Sequence, residues 1–441
     1  MKILQFLSKG IFVLTLCFVI VTIQVSAQSS GSNSPYSRYG FGSLAIQESG
    51  FNTGMAGVAL GVRDNGIVNY QNPATYGDID SITMIIDAGL SLQNCRISSG
   101  GIKRNTGNSM IDYISAAFRI YKGIGVSVGL RPYSTIGYNF FTTGSIGSKE
   151  EPDDMKTATT TYNGDGGLHQ AYFGIGARVY KDLNIGVNIG YLWGDYNHSL
   201  LLNYDETSIN SLTRSYMGEI ITLTYDFGIQ YHKNITSKDI VTIGGTFGLG
   251  HNVNDDAIKI DKKTSSSAII GADTTVIKNA FQLPMTYGVG VSWKHDNQFT
   301  IALDYTCQMW SKCKFPILNE KGEYFNSKDY FNNRHRLAAG VEYIPKPYGL
   351  KVSDHIAYRA GFALTTSYFM IDGAKGPNSY LYTLGIGFPI VNRYSNRSTL
   401  NISAQWEHIP SCGSVNLSED YARLCIGLTF NANWFNQWKV R

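Results

Sequence analysis

The chain has 441 residues, with 47 Gly and 29 Tyr against 11 Pro, and a formal net charge of +4. That charge is too small, and its basic residues too dispersed, for a nucleic-acid binder. No run beyond residue 30 is apolar for the length a membrane helix needs, and length alone would divide a soluble chain into about three domains, whereas a β-barrel of this size is a single unit.

The N-terminus reads as a cleaved signal peptide over residues 1–27. Lys2 and Lys9 give a positive start, residues 10–25 are apolar, and Val25-Ser26-Ala27 supplies small residues before Gln28. Cys17 lies inside the apolar stretch rather than after a lipoprotein-type cleavage motif. The mature chain keeps Cys95, Cys307, Cys313, Cys412 and Cys425. That odd number forbids a complete set of internal disulfides, and no close cysteine pairs suggest a metal framework.

Residues 28–80 differ in kind. A Ser/Gly/Asn lead is followed by Pro35-Tyr36-Ser37-Arg38-Tyr39-Gly40-Phe41-Gly42 and by a Gly-rich stretch from Gly50 to Gly66. Neither has a sustained period. A compact segment with little regular structure is expected.

From residue 81 onward, alternation dominates. Fourteen strands are predicted, centred near Ile86, Ala117, Val128, Ile175, Val187, Tyr225, Ile243, Val289, Leu303, Ala339, Gly361, Gly385, Ser403 and Ile426. In the sixth, Ile221, Leu223, Tyr225, Phe227 and Ile229 alternate with polar or small residues, which places the two sets on opposite faces. The apolar face is rich in aromatics; Ile301, Leu303, Tyr305, Ala360, Phe362 and Leu364 are assigned to lipid. Asp87, Arg178, Asp226, Asp304, Arg336, Glu342, Arg359, Glu407 and Arg423 are assigned to the lumen, with Cys425 as a small filler. That pattern predicts an all-β, transmembrane antiparallel barrel over residues 81–441 with a short periplasmic C-terminal end. Links after even-numbered strands are turn-like. Those after odd-numbered strands are longer and polar: 94–108, 138–166, 203–215, 252–278, 311–332 and 411–419. Barrels keep their short turns in the periplasm, so this alternation predicts an outer-membrane protein with both termini periplasmic. Inward glycines such as Gly244, Gly248, Gly288, Gly290, Gly385 and Gly387 leave room in the lumen for residues 28–80.

The Gly-rich segment, then Asn72-Pro73-Ala74, then fourteen strands resembles the FadL-type outer-membrane transporter superfamily. The stretch Leu283-Pro284 through Tyr287-Gly288-Val289-Gly290, with Leu303-Asp304-Tyr305 and Trp310, is similar to the same family, and the ending Gly427-Leu428-Thr429-Phe430-Asn431 through Trp434-Phe435 resembles Bacteroidetes-type barrels. The resemblance implies an N-terminal hatch that plugs the lumen, with Asn72, Pro73 and Ala74 near its end. It also implies a kink in the third strand that opens the wall sideways. Arg131, Pro132 and Gly137 are the candidates, because proline lacks the N–H of a continuous ladder; the plain alternative is a strand that ends at Leu130. Asp226, Asp304, Arg359, Glu407 and Arg423 are the polar lumen residues expected to tie the wall to the hatch.

No chemistry for an enzyme is legible. His198 and Ser199 are adjacent and His408 precedes Ser411 by three, so neither has the spacing of an outer-membrane phospholipase; the histidines show no metal spacing, and no cofactor is expected. Two functions remain. One is passive transport of hydrophobic, fatty-acid-like small molecules through a hatch and lateral opening. The other is a non-transporting barrel that serves as subunit or scaffold of an outer-membrane secretion or assembly complex, with protein partners and membrane lipid around it. The polar long links, with Lys149 to Asp154 among them, offer no apolar capture surface for the first.

Overall fold

The computed structural model describes residues 33–80, 83–146, 156–204, 209–265, 268–319, 321–392, 395–413 and 416–433. The signal peptide, the acidic run 149–154 and Trp434-Phe435 lie outside the described residues.

Fourteen strands form a closed antiparallel barrel. They are β1 (Thr83–Ser99), β2 (Ile102–Tyr121), β3 (Ile124–Ile146), β4 (Lys156–Tyr180), β5 (Leu183–Tyr204), β6 (Ser211–Asn234), β7 (Asp239–Gly248), β8 (Thr286–His295), β9 (Phe299–Gln308), β10 (Arg334–Tyr343), β11 (Ala357–Thr365), β12 (Ser379–Asn392), β13 (Ser395–Ile409) and β14 (Leu417–Asn433). Each pairs with its neighbours in sequence, and β1 closes the ring on β14 from Thr83↔Asn433 to Ser99↔Leu417. Closure is what lets a sheet exist in lipid, where an open edge would leave its N–H and C=O groups without partners.

The faces follow the alternation. Ile301, Leu303, Tyr305 and Phe362 are exposed on the outside, while Ala302, Asp304 and Ala363 are buried. Outward aromatics fall in two belts. Tyr121, Tyr180, Trp293, Phe299 and Tyr358 lie near the short-turn end, and Tyr191, Tyr287, Tyr305, Tyr382 and Trp406 lie nearer the other. Such belts mark the two membrane–water interfaces.

The long links depart from the expected loops. β1 and β2 continue to a tight turn at Gly100-Gly101, both at positive φ, so 94–108 is a strand hairpin. β3 with β4, and β5 with β6, are likewise prolonged. Within 252–278, Ala257–Ser265 and Ala268–Ile277 form a hairpin that pairs with the upper half of β6, where β7 has already left the sheet. The reason is physical. Toward the tip of a hairpin such as 98–110 both faces of a strand meet water, so polar residues on both sides no longer distinguish strand from loop. The cysteines among the described residues are all unpaired, and Cys425 faces inward.

The seam gives a direct test of register. Ser91 on β1 opposes Cys425 on β14, and both are buried on the inner face. Directly opposed antiparallel residues lie within disulfide reach. On oxidation the Ser91→Cys variant is expected to form a disulfide with Cys425, detected by peptide mass mapping. The Leu92→Cys variant, with its thiol on the outer face, is expected to give none.

Candidate functional site

Residues 33–80 run through the lumen from one end to the other. At the long-loop end, Ser34 Oγ donates to Glu419 at 2.8 Å and Tyr36 OH donates to Leu417 O at 2.7 Å, both at the start of β14. At the short-turn end, Asp78 takes Arg178 Nη2 at 2.5 Å and Asn184 Nδ2 at 2.7 Å. Asn33 therefore sits at the opposite end of the barrel from Asn433. The sequence carried no signal of which way the segment runs.

The segment lies against the wall where the wall has no side chains. A Cβ on Gly186 would strike Pro73, one on Gly244 would strike Leu60, and one on Gly361 would strike the Met55–Ala56 backbone. Close backbone approach of this kind is what an inward glycine permits. The motif Asn72-Pro73-Ala74 is fully buried here. Asn72 is extended, φ −128° and ψ 98°, as a residue before proline prefers. Its Oδ1 caps the following turn by accepting from Ala74 N at 3.2 Å, and its Nδ2 donates to Leu60 O at 2.8 Å. One side chain thus joins two passes of the segment.

The inward charges divide into two groups. Asp304 accepts from Ala59 N at 2.6 Å and Leu60 N at 2.8 Å, and Arg336 donates to Ala56 O at 2.7 Å; these hold the segment directly. Arg359 instead joins Glu342 on β10 at 2.7 Å and reaches across β12 to Asn401 on β13 at 2.6 Å, and Arg423 joins Glu407 at 2.6 Å and Gln93 at 2.7 Å on its two neighbouring strands, so these residues tie the wall to itself. Asp226 lines an internal cavity of about 170 Å3 with Arg131, Arg334 and Arg336. From the segment itself, Asp78 also binds Arg63 at 2.5 Å. Burial raises its pKa, but the hydrogen bonds and charges of Arg63 and Arg178 outweigh that and hold the carboxyl below its usual range. Glu48 is the opposite case. Burial pushes it up to about 7, against the pull of Arg336 and a 2.6 Å hydrogen bond from Gln405.

The wall divides at the third strand. β2 and β3 pair from Tyr121/Ile124 only to Ile114/Leu130. Beyond that point β2 stays with β1, and β3 stays with β4 through a bulge between Pro132 and Ser134. The freed edge of β3 is taken by the luminal segment. Ser43 and Leu44 pair with Thr135 and Ser134, and Ala45 N donates to Tyr133 O at 3.0 Å. Gly137 N donates to Ser37 Oγ at 3.1 Å. Arg131 turns inward, with its guanidinium 4.4 Å from the Tyr70 ring centre and Nε on Gln170 at 2.8 Å. Arg131, Pro132 and Gly137 thus come together at one contact between wall and segment, while Asn72-Pro73-Ala74 sits against β5 and β6 far along the lumen.

A second cluster was not expected. At the long-loop end Phe41 is surrounded by Trp310, Phe315 and Phe281, with ring centres 5.6, 5.4 and 5.9 Å away. Phe331, Tyr368 and Leu168 extend it, and all are buried. Phe315 and Phe331 come from the link 311–332, which the sequence analysis reads as polar. The density of Trp310, Phe315, Tyr324, Tyr330 and Phe331 in one link was the available signal, and reading that link for net polarity hid it.

A closed 14-strand barrel with its N-terminal segment packed in the lumen has the FadL-type fold. Solved structures of that fold include the CymD monoaromatic hydrocarbon channel (15% identity, TM-score 0.56, covering 89% of this chain and 98% of that one). They also include the Ralstonia pickettii toluene transporter TbuX (14%, 0.57, 87% and 98%) and a Pseudomonas aeruginosa FadL homologue (11%, 0.57, 88% and 98%). The chain belongs to the BamG family, whose sequence model matches residues 8–441. No curated protein matches it in sequence.

Two outcomes follow from the wall contacts. Gly361→Leu, which places a side chain in the Met55–Ala56 backbone, is expected to expose residues 33–80 to protease in folded barrels, whereas Gly245→Leu, outside that contact, is expected to leave them protected. Glu48 supplies a pH test. Its folded pKa is raised, so its contribution to holding the segment is greatest when protonated and declines as pH rises from the ordinary carboxylate range through about 7. Protease access to the segment is expected to increase from pH 5 to pH 8 in the natural protein, and Glu48→Gln is expected to flatten that dependence.

Proposed function

We propose that this protein is a non-conducting barrel that works as a membrane-embedded subunit or scaffold of an outer-membrane assembly or secretion complex. The observation that carries this reading is the filled lumen. Residues 33–80 occupy it from end to end, the Phe41–Trp310–Phe315 cluster covers the long-loop end, and the cavities left between segment and wall are of about 170 to 290 Å3, two of mixed lining and one, beside Leu44 and Pro132, more apolar. A site for a hydrophobic ligand is ordinarily apolar and larger, about 300–1,000 Å3. In this reading the long-loop end faces the exterior and the short turns face the periplasm, following the general rule for such barrels.

A second reading has one specific observation behind it. The β2/β3 division beyond Leu130 is where a side passage toward lipid would lie, and structures of like fold are described as a hydrocarbon channel and toluene transporters. In that reading the segment is a movable hatch, Pro132 and Gly137 frame the opening, and the cargo is a hydrophobic small molecule that passes without an enzymatic step.

Depletion of the protein in whole cells separates the two. The scaffold reading expects unchanged uptake of a hydrophobic substrate, accompanied by co-purification of stoichiometric protein partners with the natural protein and loss of their assembly on depletion. Uptake that falls on depletion, with no partner retained, would reverse the choice. Replacing Pro132 and Gly137 with Val and Thr is expected to leave uptake unchanged if the barrel is a scaffold and to slow it if the barrel is a channel.

A further inference from the structure

The short-turn end of the barrel is almost featureless. Its described links are tight: 122–123, 181–182, 235–238 and 296–298. Residues 344–356, between β10 and β11, are the exception. They form an ordered protrusion rather than a loose excursion. Ile344 N donates to Gln298 O at 2.8 Å and Gln298 Nε2 donates to Pro345 O at 2.8 Å, fixing its base to the β8–β9 turn. Lys346 N donates to Asp354 O at 3.0 Å and Gly349 N to Lys346 O at 2.9 Å, closing the protrusion on itself, and a short helical turn, Val352–His355, completes it. Asn297 Nδ2 donates to Tyr348 OH at 3.0 Å and holds that ring upright.

What this scaffold displays is apolar. Tyr348 is 72% exposed, Leu350 102% and Val352 53%. A rigid cluster of apolar tips held in water is an unfavourable arrangement unless something covers it. Lipid is the first candidate to weigh. The outward aromatics Phe299 and Tyr358 mark the membrane boundary at this end, with the Phe299 and Tyr343 ring centres 4.6 Å apart and tilted by 31°. The protrusion begins after Tyr343 and ends before Tyr358, so it lies on the aqueous side of that belt. Its charge is one-sided. Lys346 and Lys351 flank the tips and are exposed, whereas the carboxylate of Asp354 is turned inward to accept from Lys351 N at 3.4 Å. Asp296, on the turn that Tyr348 touches, faces Lys238 at 3.4 Å.

We propose that residues 344–356 are a docking knob for a water-soluble protein on the short-turn side, one that offers an apolar socket rimmed by carboxylates to Tyr348, Leu350 and Val352. The inference rests on the scaffold reading and names the face and chemistry of one partner. A convex apolar tip centred on tyrosine and leucine and ringed by cations is the complement of such a socket. The partner's rim carboxylates meet Lys346 and Lys351, and the attraction is weakened by salt.

The test uses the full chain in its own membrane. A benzophenone amino acid is placed at position 350, and in a second strain at position 236 of the ordinary 235–238 turn. The expected result is a cross-link from position 350, and not from 236, to a water-soluble polypeptide. Its yield should fall at least about tenfold with Lys346→Glu and Lys351→Glu combined, in barrels whose heat-dependent gel migration shows normal folding. Leu350→Asp should release that polypeptide from the purified protein to a similar degree. Cross-links from 350 confined to phospholipid would overturn the proposal and make the knob a membrane anchor. Partners that stay bound to the Leu350→Asp protein would overturn the knob while leaving the scaffold reading intact. Natural protein that retains no partner at all would remove the scaffold reading itself, and the knob with it.

Discussion

Lipid supplies no hydrogen bonds, so a sheet persists in it only if its first and last strands meet. Here that meeting is the long ladder of Thr83–Ser99 on Leu417–Asn433. Closure solves one problem and creates another. A ring of fourteen strands encloses more space than the inward side chains fill, because so many of them are glycine, serine or alanine. The remaining space is taken by residues 33–80. The wall and its filling are therefore one design: glycines where the segment's backbone passes, and Asp304 and Arg336 where its N–H and C=O groups need partners. Buried backbone groups left unpaired would each cost about 1–3 kcal/mol, so these side chains are part of the reason the segment has a single place to lie.

The same need for partners explains the divided wall. β3 leaves β2 after Leu130 and bends over the lumen, and its freed edge does not remain open, since Ser43 and Leu44 take it up. Pro132 sits at the bulge where β3 adjusts its register to β4, a position that spares the ladder the N–H proline lacks. The feature that would be a passage in an empty barrel is, in this one, a joint between wall and filling.

Much of this could be read from the sequence because the membrane enforces it. The alternation of Ile221, Leu223 and Tyr225 with Thr222, Thr224 and Asp226 has one interpretation when one face must meet lipid, and every strand centre derived that way falls on a strand. The inward assignment of Asp304, Arg359 and Glu407 came from the same rule. Legibility ended where the membrane ends. Beyond Ile97 and Tyr138 both faces of a strand are solvated, and the prolonged hairpins looked like loops. The Phe41–Trp310–Phe315 cluster was not legible because Phe41 comes from the luminal segment and Trp310 and Phe315 from a distant link whose average composition is polar. The course of residues 33–80 was not legible at all: it is set by which glycines line up across non-adjacent strands, and no local period records that.

The proposed function requires that the luminal segment be fixed and seal the barrel. The direct measurement is amide hydrogen exchange on the protein in lipid nanodiscs, followed peptide by peptide. If the segment is held as described, amides from 55 to 78 exchange as slowly as those of β6 and β13, and much more slowly than those of the exposed turn at 235–238. Exchange of 55–78 at the rate of that turn, with the strands still protected, would mean an open lumen and would contradict a fixed, sealing segment.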